Sequence, residues 1–300
     1  MKKNKIICTS LEEKYTKGVT PILKDLEESN DNLLVIDNNL NVYNTFKKKL
    51  KNKFNIVTLG LTSDNNETNK DLLELVFNLY KEGKISIAFE LLNDFSNVIF
   101  KDDAIDPFWN ESAASLFIGA SLYIFKTNAK VTFTDVYNTV NYFADEGKEE
   151  LVKYLEETKD NEISMYLEGL IKMPEETKGG VVATFNQKLR NIAFRMLTIN
   201  VDFDINSENT AYIVRDYNGC FSKEARLIYT FLKRMASVNN KQLNIVLPSI
   251  DTVENIEELK TEFNSGPSMN VTYYLVTNSI DYLKENFSSL IEAVSEIIKA

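Results

Sequence analysis

Short apolar runs alternate with amphipathic stretches over the first sixty residues of the chain. The apolar-rich runs are Ile6–Thr9, Leu33–Ile36 and Asn55–Leu61, and helical spacing covers Thr20–Ser29 and the basic stretch Thr45–Lys53. Runs of this length between polar residues are typical of buried strands. The pattern therefore predicts a βαβαβ unit with a parallel sheet, and such sheets bind ligands at the carboxyl ends of their strands.

The pattern changes between about residues 70 and 198, where apolar residues recur every three or four positions. This spacing predicts an all-α region. Thr132 and Asp160 are suited to cap the starts of helices, and Gly83 and Gly147 lie where helices end. The predicted helices are Asp71–Lys81, Ile85–Phe100, Glu111–Lys126, Phe133–Asp145, Lys148–Thr158, Ser164–Lys172 and Val181–Met196.

Strand-like runs return in the last third of the chain. They are Thr210–Val214, Leu243–Leu247 and Asn270–Val276, with helices predicted at Glu224–Ser237 and Asn255–Asn264. Because the α/β pattern resumes after the helical region, we predict that this region is an insertion in one discontinuous α/β domain.

Composition narrows the classes of function. The chain has 300 residues, 44% of them hydrophobic and 26% charged, which suits a folded globular protein. No window approaches a membrane span, the start is unlike a signal peptide, and two cysteines without Cys-x-x-Cys spacing fit a reducing compartment, so we expect a cytoplasmic protein. The absence of histidine excludes Ser-His and Cys-His catalysis, and the net charge of −10 disfavours strong nucleic-acid binding.

Two segments of the helical region are distinctive. One, from Phe108, reads FWNESAASLFIGASLYIF, and the other, from Lys178, reads KGGVVATFNQKLRNIAF. On these segments, and weakly from about Lys5 to Phe287, the chain resembles the conjugative coupling ATPases of type IV secretion, the TraG-like DNA-transfer proteins. In that family a Phe-Trp pair opens an Ala/Leu-rich helix, and a small-residue turn, here Gly179-Gly180, precedes another helix.

The resemblance implies a fold and a division of the chain. The fold is an α/β core of the RecA-like P-loop NTPase type with an inserted all-α domain. The first part of the core would cover residues 1–66, the inserted domain 67–206 and the second part of the core 207–300. At the end of the second strand Asp37 and Tyr43 match the family pattern, whereas the residues from Asn38 to Asn41 replace its polar signature.

The resemblance also places the phosphate-binding loop, and the residues there differ from what the chemistry needs. With Pro21 fixing the register, Lys14 takes the position of the loop lysine, and Glu13 and Tyr15 replace the flanking glycine and hydroxyl residue. Glycines let consecutive backbone N–H groups turn toward phosphate, and the hydroxyl holds Mg²⁺. Glu12 and Glu13 instead oppose phosphate by about 4 kcal/mol for each charge pair at ~4 Å and an effective dielectric of about 20.

The hydrolytic motifs of the family are replaced as well. Pro248-Ser249 stands where the acidic pair would lie, and residues 277–279 replace a glutamine-containing strand end. Proline and serine cannot order Mg²⁺ through a carboxylate or polarise an attacking water. We therefore expect no catalytic residue, no metal and no cofactor. Lys14 and Asp37 stay as candidates for a degenerate nucleotide site, with Asp251 as a possible acidic substitute.

Two further groups of residues are candidates for interaction. Phe108 and Trp109 are of the type that anchors protein interfaces, although they also open a helix whose apolar residues predict a buried central position. The basic run that includes Lys47, Lys48 and Lys49 suits a DNA backbone or anionic lipid headgroups, or a solvated helix face.

The leading hypothesis is a non-hydrolytic relative of the coupling ATPases that acts as a protein-binding or regulatory module. Its partner would be an active coupling ATPase, a secretion-channel component or a cargo factor. The family's membrane-spanning segment has no counterpart before the first strand, so we expect no transmembrane segment, and we expect a monomer or weak oligomer. The rivals are an atypical ATPase of the same family that uses Lys14 and Asp37, and an unrelated α/β protein, which an uninterrupted sheet would favour.

Overall fold

A computed structural model gives the fold of the chain, and it divides into two compact units. One unit is Met1–Gly60 with Asn200–Ala300, and the other is Leu61–Ile199. The residues that the structure describes are 4–10, 13, 18–27, 29, 31–37, 44–45, 48–60, 69–102, 106–195, 198–200, 209–215, 222–248, 250, 270–286 and 296–299.

The first unit is built on a seven-stranded sheet in the order β3-β6-β2-β7-β8-β1-β9, in which the neighbouring strands are parallel. The short strands β4 and β5 form a separate two-stranded sheet. The strands are β1 Lys5–Cys8, β2 Asn32–Asp37, β3 Asn55–Gly60, β4 Asn69–Asp71, β5 Thr198–Asn200, β6 Thr210–Arg215, β7 Leu243–Leu247, β8 Val271–Thr277 and β9 Glu296–Lys299.

Strands from both ends of the chain alternate in this sheet. β2 lies between β6 and β7, and β8 separates β7 from β1. The sheet is thus made from segments before residue 61 and after residue 209, so the predicted interruption of the α/β core is confirmed. The domain boundaries predicted at 66/67 and 206/207 fall outside the described residues.

Helix α1, Thr20–Glu27, covers one face of the sheet. Its Ile22, Leu23 and Leu26 are buried in a cluster that includes Leu33 of β2 and Val246 of β7. β7 and β8 are buried along their whole length. Strands covered on both faces read as continuous apolar runs, which is why Leu243–Leu247 was predictable from its sequence. Helices α9, Lys223–Val238, and α10, Ile280–Asn286, belong to the same unit.

The second unit is helical. Its helices are α2 Leu72–Lys81, α3 Ile85–Phe100, α4 Phe108–Thr127, α5 Phe133–Ala144, α6 Lys148–Thr158, α7 Asn161–Lys172 and α8 Glu175–Arg195. α4 packs against α3, α5, α7 and α8, which confirms its predicted central position. Aromatic rings fill the core around α4, because Phe117 lies between Phe100 and Phe133, with ring centroids 6.0 and 6.1 Å away.

Local chemistry fixes the helix starts. Thr132 and Asp135 form a capping box at α5, and the Asp160 carboxylate accepts a hydrogen bond from the Ile163 N–H at α7, so both predicted caps are confirmed. Gly83 adopts a left-handed φ of 81° just after α2, as a helix-ending glycine does.

The structure corrects the sequence prediction in several places. Gly179 and Gly180 are not a turn: α8 begins at Glu175 and runs through both. β4, β5, α10 and β9 were not predicted. In the basic stretch, residues 44–45 and 48–50 are helical and 51–53 form a turn, and the helix predicted at Asn255–Asn264 lies outside the described residues.

Candidate functional site

The carboxyl ends of β1 and β8 meet at the edge of the sheet where the nucleotide motifs were placed. The Thr9 N–H, just after β1, donates a hydrogen bond to the Thr277 carbonyl at the end of β8, at 3.1 Å. Thr9 is buried, and its hydroxyl oxygen has no hydrogen-bond partner among the described residues. This is the edge at which parallel α/β sheets bind ligands.

The turn after β1 is held by its own acidic residue. The Ser10 hydroxyl donates to the Glu13 carboxylate at 3.3 Å, and the Glu13 N–H donates to the Ser10 carbonyl at 3.2 Å. The Gly18 N–H then donates to the Glu13 carbonyl at 3.3 Å. The Glu13 N–H is therefore used in a hydrogen bond to Ser10, and the Glu13 carboxylate accepts a second one from the same residue.

The neighbouring strand ends carry the other residues singled out in the sequence. Asp37 is the last residue of β2 and lies in register with Arg215, the last residue of β6. Pro248 follows β7 directly and is buried. Lys14 and Asp251 lie outside the described residues, so their predicted roles stay predictions.

The basic stretch is exposed where the structure describes it. Lys48 and Lys49 are exposed, as is Lys51, whereas Lys53 donates from Nζ to the Leu26 carbonyl at 2.9 Å and so holds the turn against α1. Lys47 lies outside the described residues.

Phe108 and Trp109 form an exposed aromatic pair on the first turn of α4. Their rings meet edge to face with centroids 5.2 Å apart, and 43% of Phe108 and 36% of Trp109 are exposed. The Trp109 ring lies over Gly180 of α8, where an added Cβ atom would come within 2.5 Å of Cζ3. The body of α4 is buried, but this pair at its start is open to solvent.

The backbone beneath the pair is held by charged residues. The Asp106 carboxylate accepts from the Phe108 N–H at 3.0 Å, and the Asn110 amide donates to Asp102. The Lys188 ammonium donates to the same Asp102 carboxylate and to the Phe100 carbonyl. We call Phe108 and Trp109, with the exposed acidic residues Asp106 and Glu111 of the same segment and Glu176 one turn before Gly180, the aromatic corner.

Within the part of the chain that the structure describes, no helix is long and apolar enough to cross a bilayer. Comparison with curated protein sequences gives no significant match.

Solved structures of a conjugative coupling protein share the fold. The plasmid coupling protein TrwB in complex with ADP and Mg²⁺ is 9% identical, with a TM-score of 0.59 over 98% of this chain and 69% of that chain. The trigonal form of TrwBdeltaN70 in complex with sulphate is 10% identical, with a TM-score of 0.57 over the same shares of the two chains. TrwB in complex with the non-hydrolysable ATP analogue ADPNP is 11% identical, with a TM-score of 0.56. At such identities the likeness shows the fold, a RecA-like α/β core with an all-α region.

The sequence match is to a family. Residues 17–213, about two thirds of the chain, match the family described as type IV secretory system conjugative DNA transfer. This chain therefore belongs to the conjugative DNA-transfer family of type IV secretion, the family of the coupling ATPases.

Proposed function

We propose that this member of the family does not hydrolyse ATP and acts as a protein-binding or regulatory module in conjugative DNA transfer. The observation that carries the proposal is the turn after β1, where the Ser10 hydroxyl donates a hydrogen bond to the Glu13 carboxylate. A phosphate-binding turn presents unpaired N–H groups and positive charge, whereas this turn presents a carboxylate.

The negative charge at this turn supports the proposal. Each like-charge pair between a carboxylate and a phosphate oxygen opposes binding by about 4 kcal/mol at ~4 Å and an effective dielectric of about 20. A micromolar affinity is worth about 8 kcal/mol. TrwB has been solved with ADP and Mg²⁺ and with ADPNP, so the fold itself can hold nucleotide. The proposal therefore rests on the residues of the turn and of the strand ends, and not on the sheet that supports them.

The end of β7 supports the same proposal. The resemblance to the family places an acidic pair at this strand end, next to β8 in the sheet. Here the position after Leu247 is a buried proline, Pro248, which offers neither a carboxylate for Mg²⁺ nor a base for water.

The retained function would be contact with other proteins of the transfer system. The partner would be an active coupling ATPase, a secretion-channel component or a cargo factor, and the aromatic corner is the surface that fits such a role. Exposed Trp and Phe side chains held by a rigid backbone are frequent anchors of protein interfaces. The module would work in the cytoplasm as a monomer or weak oligomer, without strong binding to nucleic acid.

Calorimetry with Mg-ATP at near-millimolar concentration tests the proposal, combined with an assay of phosphate release. We expect neither binding heat nor turnover. Lys14→Ala removes the candidate phosphate ligand, and Lys24→Ala, an exposed lysine of α1, is the matched control. Micromolar binding that Lys14→Ala abolishes and Lys24→Ala preserves would overturn the proposal and favour the atypical ATPase with Lys14 and Asp37.

A further inference from the structure

We propose that the aromatic corner binds an arginine-bearing, positively charged segment of a protein partner. The inference rests on the proposed protein-binding role of the chain and names the chemistry of the partner at that surface.

The two rings are fixed before any partner arrives. Trp109 is seated on Gly180, where a side chain larger than hydrogen would not fit, and its edge-to-face contact with Phe108 leaves part of each ring exposed. The hydrogen bond from the Phe108 N–H to Asp106 fixes the start of the helix that carries them. A binding surface that is already ordered loses little conformational entropy when it is covered.

The accessible charge around the rings is negative. Glu111 lies three residues after Phe108, and Glu176 lies four residues before Gly180, which places it on the same face of α8 as the seat of Trp109. Both glutamates are exposed. Of the lysines near the rings, Lys178 is buried and Lys188 is partly buried, and they are paired with Glu175 and Asp102 at 2.7 and 2.5 Å.

The whole helical unit carries the same sign of charge. Residues 61–199 contain 23 acidic and 14 basic residues, a net charge of −9, whereas the rest of the chain contains 21 acidic and 20 basic residues, a net charge of −1. The field over the helical unit therefore attracts cationic segments and repels polyanions.

Arginine is the residue whose side chain suits both the exposed aromatic rings and the exposed carboxylates of this surface. Its planar guanidinium stacks on aromatic faces and binds carboxylates through two parallel hydrogen bonds, whereas the lysine ammonium is a strongly hydrated point charge. Single-stranded nucleic acid also stacks its bases on exposed tryptophan, but the sites that do so lie in positively charged grooves. The glutamates beside Trp109 make this corner a poor match for phosphate.

Trp109 is the only tryptophan of the chain, so tryptophan emission reports directly on the corner. The probes are hexa-arginine and hexa-lysine peptides at low ionic strength, with a single-stranded oligothymidine as the third ligand. We expect a saturable change of emission with hexa-arginine, about two- to fivefold tighter than with hexa-lysine because of the stacking contribution. Phe108→Ser should weaken binding while it leaves the Trp109 reporter in place.

Matched charge variants separate a local site from general attraction. Glu111→Gln and Glu176→Gln should each weaken hexa-arginine binding about two- to fivefold. Glu156→Gln makes the same charge change at an exposed position of α6 and should leave the affinity unchanged. Equal losses in all three variants, equal binding of the two peptides, or a saturable response to the oligothymidine in place of the peptide would each overturn the inference. Mg-ATP binding would overturn the proposed function without changing these titrations, so the two failures are distinguishable.

Discussion

The indole of Trp109 rests on Gly180, and the space between the two residues admits no side chain. Gly180 of α8 thus lies directly against the indole of Trp109, one of the two exposed aromatic residues of α4. Gly179, the preceding residue, has nothing within 4 Å of the place where its Cβ atom would lie. The two adjacent glycines therefore differ in what they do, although they look alike in the sequence.

Alanine at these two positions should have opposite effects on stability. Gly179→Ala should stabilise the helix by about 0.5–1 kcal/mol, because alanine has the higher helix propensity. Gly180→Ala gains the same propensity but displaces the indole, so it should be about 1–3 kcal/mol less stable than Gly179→Ala. Urea unfolding measures the difference, and a red shift of the tryptophan emission only in Gly180→Ala identifies its cause. Equal stabilisation by both variants would show that Trp109 does not rely on Gly180.

The aromatic core of the helical unit should depend on Phe117. This side chain is fully buried between Phe100 and Phe133. Phe117→Ala should destabilise the unit by about 3–5 kcal/mol because it leaves a cavity that helices cannot close. Phe108→Ala removes the same side chain from an exposed position and should change stability by about 0.5 kcal/mol or less. Thermal unfolding followed by circular dichroism compares them, and similar losses in both would contradict the packing described for α4.

Asp71 should make the stability of the helical unit depend on pH. Burial raises the pKa of this carboxyl to about 7, although it accepts hydrogen bonds from the Leu73 and Phe133 N–H groups, and Asp135 and Glu74 add to the rise. Between the unfolded pKa of about 4 and the folded pKa, the folded state binds more protons than the unfolded state. Stability should therefore fall as pH rises through this window, by at most about 1.4 kcal/mol per pH unit.

The control for this pH range is the Asp71→Asn variant. Its amide oxygen can still accept a hydrogen bond from the Leu73 N–H, but the side chain cannot titrate. Urea unfolding of both proteins at pH 5, 6, 7 and 8 gives the difference in free energy of unfolding at each pH. We expect the difference to shift in favour of the variant as pH rises. A difference that is constant with pH would mean that Asp71 is ionised in the folded state throughout.

The ion pair between Asp160 and Lys126 should make stability depend on pH in the acidic range. Partial burial would raise the pKa of Asp160, but hydrogen bonds from Lys126 and from the Ile163 N–H outweigh it and lower the pKa. Because the pKa is lowered on folding, the stabilisation by the Asp160 carboxylate is fully present above the unfolded pKa of about 4. It is lost as the pH falls through the folded pKa. Asp160→Asn keeps the cap and loses the ion pair, so it should cost about 0.5–1 kcal/mol at pH 7 and nothing near pH 2.

A second variant separates the cap from the ion pair. Asp160→Ala removes both, and at pH 7 it should cost about 1 kcal/mol more than Asp160→Asn. Equal costs for the two variants would mean that the hydrogen bond to the Ile163 N–H contributes little.

The helices were predictable where periodicity and caps agree. Ile85–Phe100 and Lys148–Thr158 were predicted at their observed bounds because apolar spacing covers each helix and a glycine, Gly83 or Gly147, lies just before its start. β9 was missed: it is a short edge strand that pairs only with β1 in the described sheet, and four apolar or charged residues carry little pattern.

The site was less predictable, for a reason that is visible at Gly180 and Phe108. Glycine has low helix propensity, so two in a row predict a turn, and only the packing of Trp109 from another helix explains their place within α8. Apolar residues continue around all sides of α4, so its sequence could not show that the ring of Phe108 is exposed. Both facts depend on contacts between helices, which a pattern along one helix does not contain.

The alternation of early and late strands in the sheet has a consequence on the ribosome. β2 is synthesised among the first forty residues, yet both strands that flank it, β6 and β7, are synthesised about 170 or more residues later. At about 5–20 residues per second, β2 waits roughly 10–30 s or more with both edges open. The helical unit is one continuous stretch of chain, so a nascent chain from which residues 61–199 have left the ribosome should hold a folded helical unit while the sheet is still incomplete.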